Sequence, residues 1–149
     1  MINRLLETAL NAPLPDLEPL REILRTVVAP WVAELELQLD EARVGEVVLR
    51  LPVAPKHVHG GGVLCGQTMM AAADTAMILA VSTHLGGFKP MTTVQLQTSF
   101  LRAVPGSAGE ARVVARVLRM GRKLVFGEVE ILDPRGELAA HATTTYALV

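Results

Sequence analysis

The chain has few of the features that mark secreted or nucleic-acid-binding proteins. Its only cysteine is Cys65, which excludes an internal disulfide framework and favours a reducing compartment. It has one tryptophan, one tyrosine and three phenylalanines, and its 14 basic side chains are balanced by 15 acidic ones. Because nucleic-acid surfaces need a basic stripe or an aromatic stacking platform, no nucleic-acid partner is expected.

Long hydrophobic runs are also missing, although 50% of the residues are hydrophobic. The most apolar stretch, residues 69–81, contains Asp74 and Thr75 and is too short and too polar to cross a bilayer. No apolar segment near the start is typical of a secretory signal. Isolated soluble domains rarely expose large apolar patches, so the excess apolar surface predicts a subunit interface. We expect a cytoplasmic homo-oligomer with no membrane partner.

Periodicity divides the chain into an N-terminal helical arm, residues 1–30, and one further domain, residues 31–149. Apolar residues of the arm recur at helical spacing on both sides of a proline-containing break at residues 11–16. From Trp31 the spacing changes to two, which predicts an antiparallel strand and then a turn at residues 40–43.

One long helix is predicted from about Gly66 to His84, and nearly all of its residues are apolar or small. A helix that is apolar on every side is expected to be buried on every side. Three or four long strands follow, without the strand–helix alternation of a parallel sheet. The predicted class is α+β, with a long, strongly twisted antiparallel sheet wrapped around this helix. This arrangement is the hotdog fold, here with an extra N-terminal helix.

Asp74 is the strongest candidate for chemistry because it interrupts this apolar helix. Burial of an unpaired carboxylate is costly, which favours a functional reason for its presence. Gln67 precedes it at nearly the same helical angle, so the two side chains form one polar stripe. The alternative is that Asp74 is a structural hydrogen-bond acceptor at a helix crossing.

Gly66 begins the predicted helix after the glycine run at residues 60–62. A helix N-terminus offers free N–H groups and a positive dipole, which suit a developing oxyanion. The alternative is that these glycines only let the loop turn tightly. Gly66 and Asp74 would lie about 12 Å apart along one helix. A shared catalytic role therefore predicts two antiparallel helices from two subunits, with composite sites.

Other polar residues are weaker candidates. His57 and His59 precede the helix start and are candidate acid–base groups, although loop histidines are more often surface groups. Cys65 is expected to be an inert thiol, and no spacing of metal ligands supports a metal site or a cofactor. The basic residues at predicted strand ends are candidates for binding phosphate or are solvated turn charges. They are Arg102, Arg119, Arg122 and Lys123.

Several motifs, in their order and spacing, resemble the hotdog acyl-CoA thioesterases of the phenylacetic-acid-degradation type over about residues 32–149. They are His59 to Gly66, Ala73 to Ala76, Thr92-Thr93-Val94, Phe100 to Ala103 and Gly121 to Phe126. The family usually has His-Gly-Gly at the helix start, whereas Cys65-Gly66-Gln67 stands here, and His59 falls near a position that is usually Asn.

The resemblance implies an enzyme that hydrolyses R–CO–S–CoA to an acid and free coenzyme A, as a homodimer that pairs into a homotetramer. It implies that Asp74 activates water or attacks the thioester, that the N–H of Gly66 polarises the carbonyl across the dimer interface, and that Thr93 assists with its hydroxyl. His59 is a further catalytic candidate beside the helix start.

The same resemblance places Arg102, Arg122 and Lys123 near the coenzyme A phosphates, and we add Gln67 as a candidate substrate-binding residue. Two alternatives stay open, namely a hydratase on the same scaffold and a non-catalytic acyl-CoA-binding module. Release of free thiol from acyl-CoA separates the thioesterase from both.

Overall fold

The computed structural model describes residues 2–149, apart from the side chains of Ile2, Asn3, Leu5 and Leu10. Four helices and six strands follow in the order α1 (Ile2–Leu10), α2 (Glu18–Thr26), α3 (Pro30–Ala33), β1 (Gln38–Arg43), β2 (Glu46–Pro52), α4 (Gly66–Leu85), β3 (Met91–Phe100), β4 (Glu110–Met120), β5 (Leu124–Leu132) and β6 (Leu138–Leu148). One turn of 3-10 helix, Pro55–His57, lies in the loop before α4.

The six strands form one antiparallel sheet in the order β1-β2-β4-β5-β6-β3. Helix α4 packs against one face of this sheet and contacts every strand. Four strands follow α4, and no strands pair in parallel among the described residues. The predicted hotdog fold with an extra N-terminal helix is confirmed.

Helix α4 has the boundaries that its flanking residues dictate. Cys65 is the N-cap in an extended conformation, and Gly66 is the first helical residue. Gly86 ends the helix with a left-handed φ of +70°, a conformation that glycine adopts without steric cost. The predicted span is therefore correct to within one residue.

The side of α4 that faces the sheet is built from small and flexible side chains. Ala72, Ala73, Ala76 and Met77 have no exposed surface, so the sheet approaches the helix axis closely. At Gly127 of β5, an added Cβ would lie 2.3 Å from Cε of Met77. The absence of a side chain at this position is what allows the helix to pack so close.

The opposite side of α4 is partly exposed, and the prediction that this helix is buried on every side is wrong for a single chain. Five exposed or partly exposed residues recur on this side at helical spacing and form what we call the open stripe: Gln67, Met70, Ala71, Asp74 and Ile78. Because one sheet covers only one side of a helix, a helix without an amphipathic pattern still has one uncovered side.

Before the sheet begins, the structure differs from the expectation at two points. The predicted strand starting at Trp31 is wrong because Pro30 starts helix α3, and β1 begins only at Gln38. Proline is favoured in the first turn of a helix, where no N–H is needed. The turn falls at residues 44–45 rather than 40–43, with Gly45 at a φ of +83°.

The N-terminal helices are not uniformly attached to the rest of the fold. In α2, Leu20 and Ile23 are buried in the core, whereas the described side chains of α1 are all exposed. Within residues 2–149, no helix combines the length and the apolar character that crossing a membrane requires.

Candidate active site

Asp74 lies in the middle of α4 on the open stripe and is half-buried. Its carboxylate oxygen Oδ1 accepts a hydrogen bond of 2.8 Å from the hydroxyl of Thr93 on β3. The hydroxyl of Tyr146 on β6 donates to the same oxygen. Sequence analysis selected Asp74 and Thr93 as site residues, and the structure brings their side chains into direct contact.

Tyr146 is the partner that sequence analysis missed. Its side chain is 1% exposed, and its hydroxyl also lies 2.7 Å from the main-chain oxygen of Asp74. Burial raises the pKa of Tyr146, and the adjacent Asp74 carboxylate raises it further, so the hydroxyl stays protonated at neutral pH. A signal was available, because Tyr146 is the only tyrosine and a buried phenol usually needs a hydrogen-bond partner.

A local irregularity of β3 turns Thr93 toward the helix. Thr93 is paired with Tyr146 across β3 and β6, and the register shifts between Thr93 and Gln95. Strict alternation from Leu96 would turn Val94 inward instead, but Val94 is 60% exposed. Such bulges redirect side chains and are frequent beside active sites.

The start of α4 forms a second polar region, at the other end of β3. An open cavity of about 380 Å³ is lined there by His59, Gly66, Met69, Phe100, Arg102 and neighbouring residues. The ring of Phe100 lies so close to Gly66 that an added Cβ would be 3.0 Å from its Cζ atom. Among the described side chains, none caps the helix start at Cys65, so the first turn of α4 lacks a side-chain acceptor for its N–H groups.

The two histidines of the loop before α4, His57 and His59, differ in burial and in hydrogen-bond partners. His59 is exposed, and its Nδ1 accepts a hydrogen bond of 2.8 Å from the N–H of Gly61. His57 lies 3.4 Å from the hydroxyl of Thr68, which is 3.0 Å from Sγ of Cys65. Burial lowers the pKa of His57, with a smaller contribution from Lys56. Cys65 thus has a histidine two contacts away, a neighbour that its position on the helix did not reveal.

The candidate phosphate-binding residues do not cluster within one chain. Arg102 follows β3 and lies 3.4 Å from the carboxylate of Glu137. Arg122 and Lys123 are exposed in the turn between β4 and β5, where the main-chain oxygen of Lys123 accepts from the N–H of Leu148. Leu148 pairs with Met91 at the start of β3. The two cationic groups therefore lie at opposite ends of β3, about 30 Å apart at the usual strand rise.

The candidate site residues of one chain fall into two groups, which we call half-sites, one at each end of β3. At one end of β3 are Asp74 and Thr93, and at the other are Gly66, His59 and Arg102. Gln67 is exposed on the open stripe between these two ends. Gly66 and Asp74 are separated by about 12 Å of helix, so the structure does not bring them together in one chain.

Comparisons with known proteins agree with this fold. The model of the thioesterase superfamily matches residues 56–140. A protein of Thermoplasma volcanium that is named provisionally as an esterase is 27% identical over 118 residues, which are 79% of this chain and 86% of that protein.

Two solved structures extend the comparison to most of the chain. Thioesterase superfamily member 2 of zebrafish is 25% identical with a TM-score of 0.80, and the match covers 89% of this chain and 98% of that one. The PaaI protein from the phenylacetic acid degradation operon of E. coli is 18% identical with a TM-score of 0.77 and coverages of 89% and 91%. At 18% identity, the similarity to the PaaI protein shows a shared fold alone.

Proposed function

This chain belongs to the thioesterase superfamily, and we propose that it hydrolyses acyl-CoA thioesters at sites that two copies of the chain complete together. The family match and the similar hotdog structures confirm the thioesterase family that the motifs predicted. We base the proposed acyl-CoA substrate, mechanism and dimer on the contacts of Asp74 and on the position of β3 at the edge of the sheet.

The observation that carries the proposal is the hydrogen-bonded carboxylate of Asp74. Hydrolysis of a thioester near neutral pH needs a base or a nucleophile close to the carbonyl carbon. Asp74 is the only acidic residue of α4, and it is half-buried on the open stripe, where a substrate can approach. The hydroxyls of Thr93 and Tyr146 hold its carboxylate in place.

In the proposed reaction, Asp74 takes a proton from a water molecule, and the water oxygen bonds to the thioester carbon. The N–H at Gly66 stabilises the resulting oxyanion. Collapse of this intermediate breaks the C–S bond, and the thiolate leaves and takes up a proton. In direct attack, an oxygen of Asp74 bonds to the thioester carbon, the C–S bond breaks and the thiolate leaves and takes up a proton. Water then hydrolyses the resulting anhydride to the acid and the free Asp74 carboxylate.

A dimer is proposed because one chain holds the two halves of the site too far apart. Strand β3 is an edge strand that, within the described part of the chain, pairs only with β6. Its outer edge there is free to pair with the β3 strand of a second copy. A two-fold axis through such a pair makes the two strands antiparallel. The Asp74–Thr93 end of one copy then meets the Gly66 end of the other.

The same pairing also places the separated cations beside each other. The turn with Arg122 and Lys123 lies where β3 begins, and Arg102 lies where it ends. In an antiparallel β3 pair, Arg102 of one copy lies near the turn of the other. We propose that these cations bind the phosphates of coenzyme A, that His59 and Gln67 contact the substrate beside the helix start, and that dimers pair into tetramers.

The function is tested by incubating the purified protein with a panel of aromatic, short-chain and long-chain acyl-CoA thioesters and measuring free thiol. We expect release from at least one class, which stops when Asp74 is replaced. A change in enoyl absorbance without thiol indicates a hydratase, and binding without either signal indicates a binding module. A chain that releases no thiol from any thioester of the panel is not the proposed enzyme.

A further inference from the structure

We propose that Tyr146 is a positioning residue which, together with Thr93, fixes oxygen Oδ1 of Asp74 and leaves oxygen Oδ2 to act on the substrate. This inference rests on the proposed function. It assigns different roles to the two carboxylate oxygens of Asp74: Oδ1 is held by hydrogen bonds, and Oδ2 reacts.

These different roles of Oδ1 and Oδ2 follow from the hydrogen bonds of Asp74. The hydroxyls of Thr93 and Tyr146 come from neighbouring strands and donate to the same oxygen of Asp74. Among residues 2–149, no protein donor is hydrogen-bonded to Oδ2. Rotation of the carboxylate would break both contacts to Oδ1, so the two hydroxyls fix the orientation of the group as a whole.

The chemistry at Oδ2 is then the same for either mechanism. As a base, Oδ2 takes one proton from water while the water oxygen bonds to the carbonyl carbon and the C–S bond later breaks. As a nucleophile, Oδ2 itself bonds to that carbon, the C–S bond breaks with loss of the thiolate, and water then cleaves the anhydride and frees Oδ2. In both cases the phenol of Tyr146 keeps its proton, since burial and the Asp74 carboxylate raise its pKa.

Tyr146 is also a large core side chain, and a role in packing alone makes a different prediction. Phenylalanine fills nearly the same volume, so a packing role predicts full activity after Tyr146→Phe. A positioning role predicts a fall in kcat with little change in KM, because substrate contacts stay intact.

The first experiment compares Tyr146→Phe with Ser82→Ala. Ser82 is a buried residue of α4 whose hydroxyl donates only to the main-chain oxygen of Ile78, so this control removes a buried hydroxyl outside the site. We expect kcat of Tyr146→Phe to fall about tenfold or more and KM to change less than about threefold. Ser82→Ala should keep the kcat of the native chain.

A second measurement needs no change at Tyr146. Because the chain has one tyrosine, the tyrosine doublet in its ultraviolet resonance Raman spectrum reports the hydrogen bond of Tyr146 alone. We expect Asp74→Asn to shift the doublet toward a weaker donor at neutral pH, and Ser82→Ala to leave it unchanged.

The outcomes separate this inference from the proposed function. If the native chain releases no thiol, the proposed function fails, and the Raman comparison still decides whether Tyr146 is hydrogen-bonded to the side chain of Asp74. If Asp74→Asn loses turnover while Tyr146→Phe keeps its kcat within about twofold, the function stands and the positioning role is wrong. An unchanged Raman doublet in Asp74→Asn also overturns it.

Discussion

The two sides of α4 have similar composition and opposite environments. Against the sheet, Ala76, Met77 and Ala80 have no exposed surface, and Gly127 makes room for the closest contact. On the open stripe, Met70 and Ile78 are also apolar but remain partly exposed beside Asp74. One side holds the fold together, and the candidate chemistry lies on the side that a single chain leaves uncovered.

The sheet repeats this contrast between its centre and its edge. The helix-facing residues of β5, such as Val125 and Val129, are buried between two neighbouring strands. In β3, most side chains are exposed, including apolar Val94 and Phe100. Exposed apolar side chains on an edge strand with one free edge are typical of a surface that pairs with another chain. The open stripe and the β3 edge together form the incomplete side of the molecule.

The largest expected effect on the incomplete side is that of Asp74→Asn. The amide keeps the shape of the side chain but is neither a base nor a nucleophile, so kcat should fall about 100-fold or more. Folding should survive, since the change removes a partly buried charge. Thiol-release kinetics and a thermal melt measure the two effects. Turnover above half that of the native chain would show that Asp74 is not the catalyst.

A second way to separate the two sides is to block the β3 edge with Val94→Lys. Two lysines placed at the proposed interface repel each other and lose hydration, so the dimer Kd should rise about 100-fold or more. Thiol release should fall in parallel, because the two halves of each site come apart. Sedimentation and activity are followed over the same concentration range.

The matched control for this variant is Val27→Lys, which places the same side chain at an exposed position of the N-terminal arm. It should assemble and turn over like the native chain. A native protein that sediments as a 16.0 kDa monomer at micromolar concentration would contradict both the dimer and the composite site.

Sequence patterns predicted the covered side of the molecule well. The span of α4 follows from an apolar run that begins at Gly66 and ends before Gly86 and Gly87, and the strands after it follow from their alternation. The predicted polar stripe of Gln67 and Asp74 does lie on the uncovered side of α4. The remaining residues of the helix have no amphipathic pattern, so the sequence did not show that apolar Met70 and Ile78 are uncovered beside them.

The candidate site was predicted only in part, for reasons of distance and register. Asp74 stood out as a lone charge in an apolar helix, and the family motifs added Thr93. Tyr146 lies 72 positions from Asp74, and its contact depends on how β3, β6 and α4 pack. The bulge at Val94 that turns Thr93 toward Asp74 is a shift of register, which a pattern of alternating residues does not predict.

A smaller effect is expected from the cations at the β4–β5 turn. Replacing Arg122 and Lys123 by alanine should raise KM for acyl-CoA about tenfold, as each charge-assisted contact to phosphate is lost. KM for the matching acyl-pantetheine, which lacks the nucleotide, should change little. The control replaces Arg4 and Arg112, two exposed arginines away from this turn, and removes the same charge. Equal losses on both substrates would mean that Arg122 and Lys123 do not act on the phosphates.

The smallest effect on turnover is expected from Gly127→Ala on the covered side. The added Cβ would lie 2.3 Å from Cε of Met77 and 2.9 Å from the main-chain oxygen of Arg116. Met77 is flexible and can move, but the main chain of β4 cannot, so the free energy of unfolding should drop by about 1–3 kcal/mol. Gly60→Ala is the control, because an added Cβ there meets no atom within 4 Å and should leave the denaturant midpoint unchanged.

Gly127 of β5 packs against the side of α4 that holds no candidate catalytic group. The folded fraction of Gly127→Ala should therefore keep its kcat within about twofold. A loss of kcat without loss of stability would show that the packed side of α4 also takes part in the chemistry, and the separation between the two sides of the helix would then be wrong.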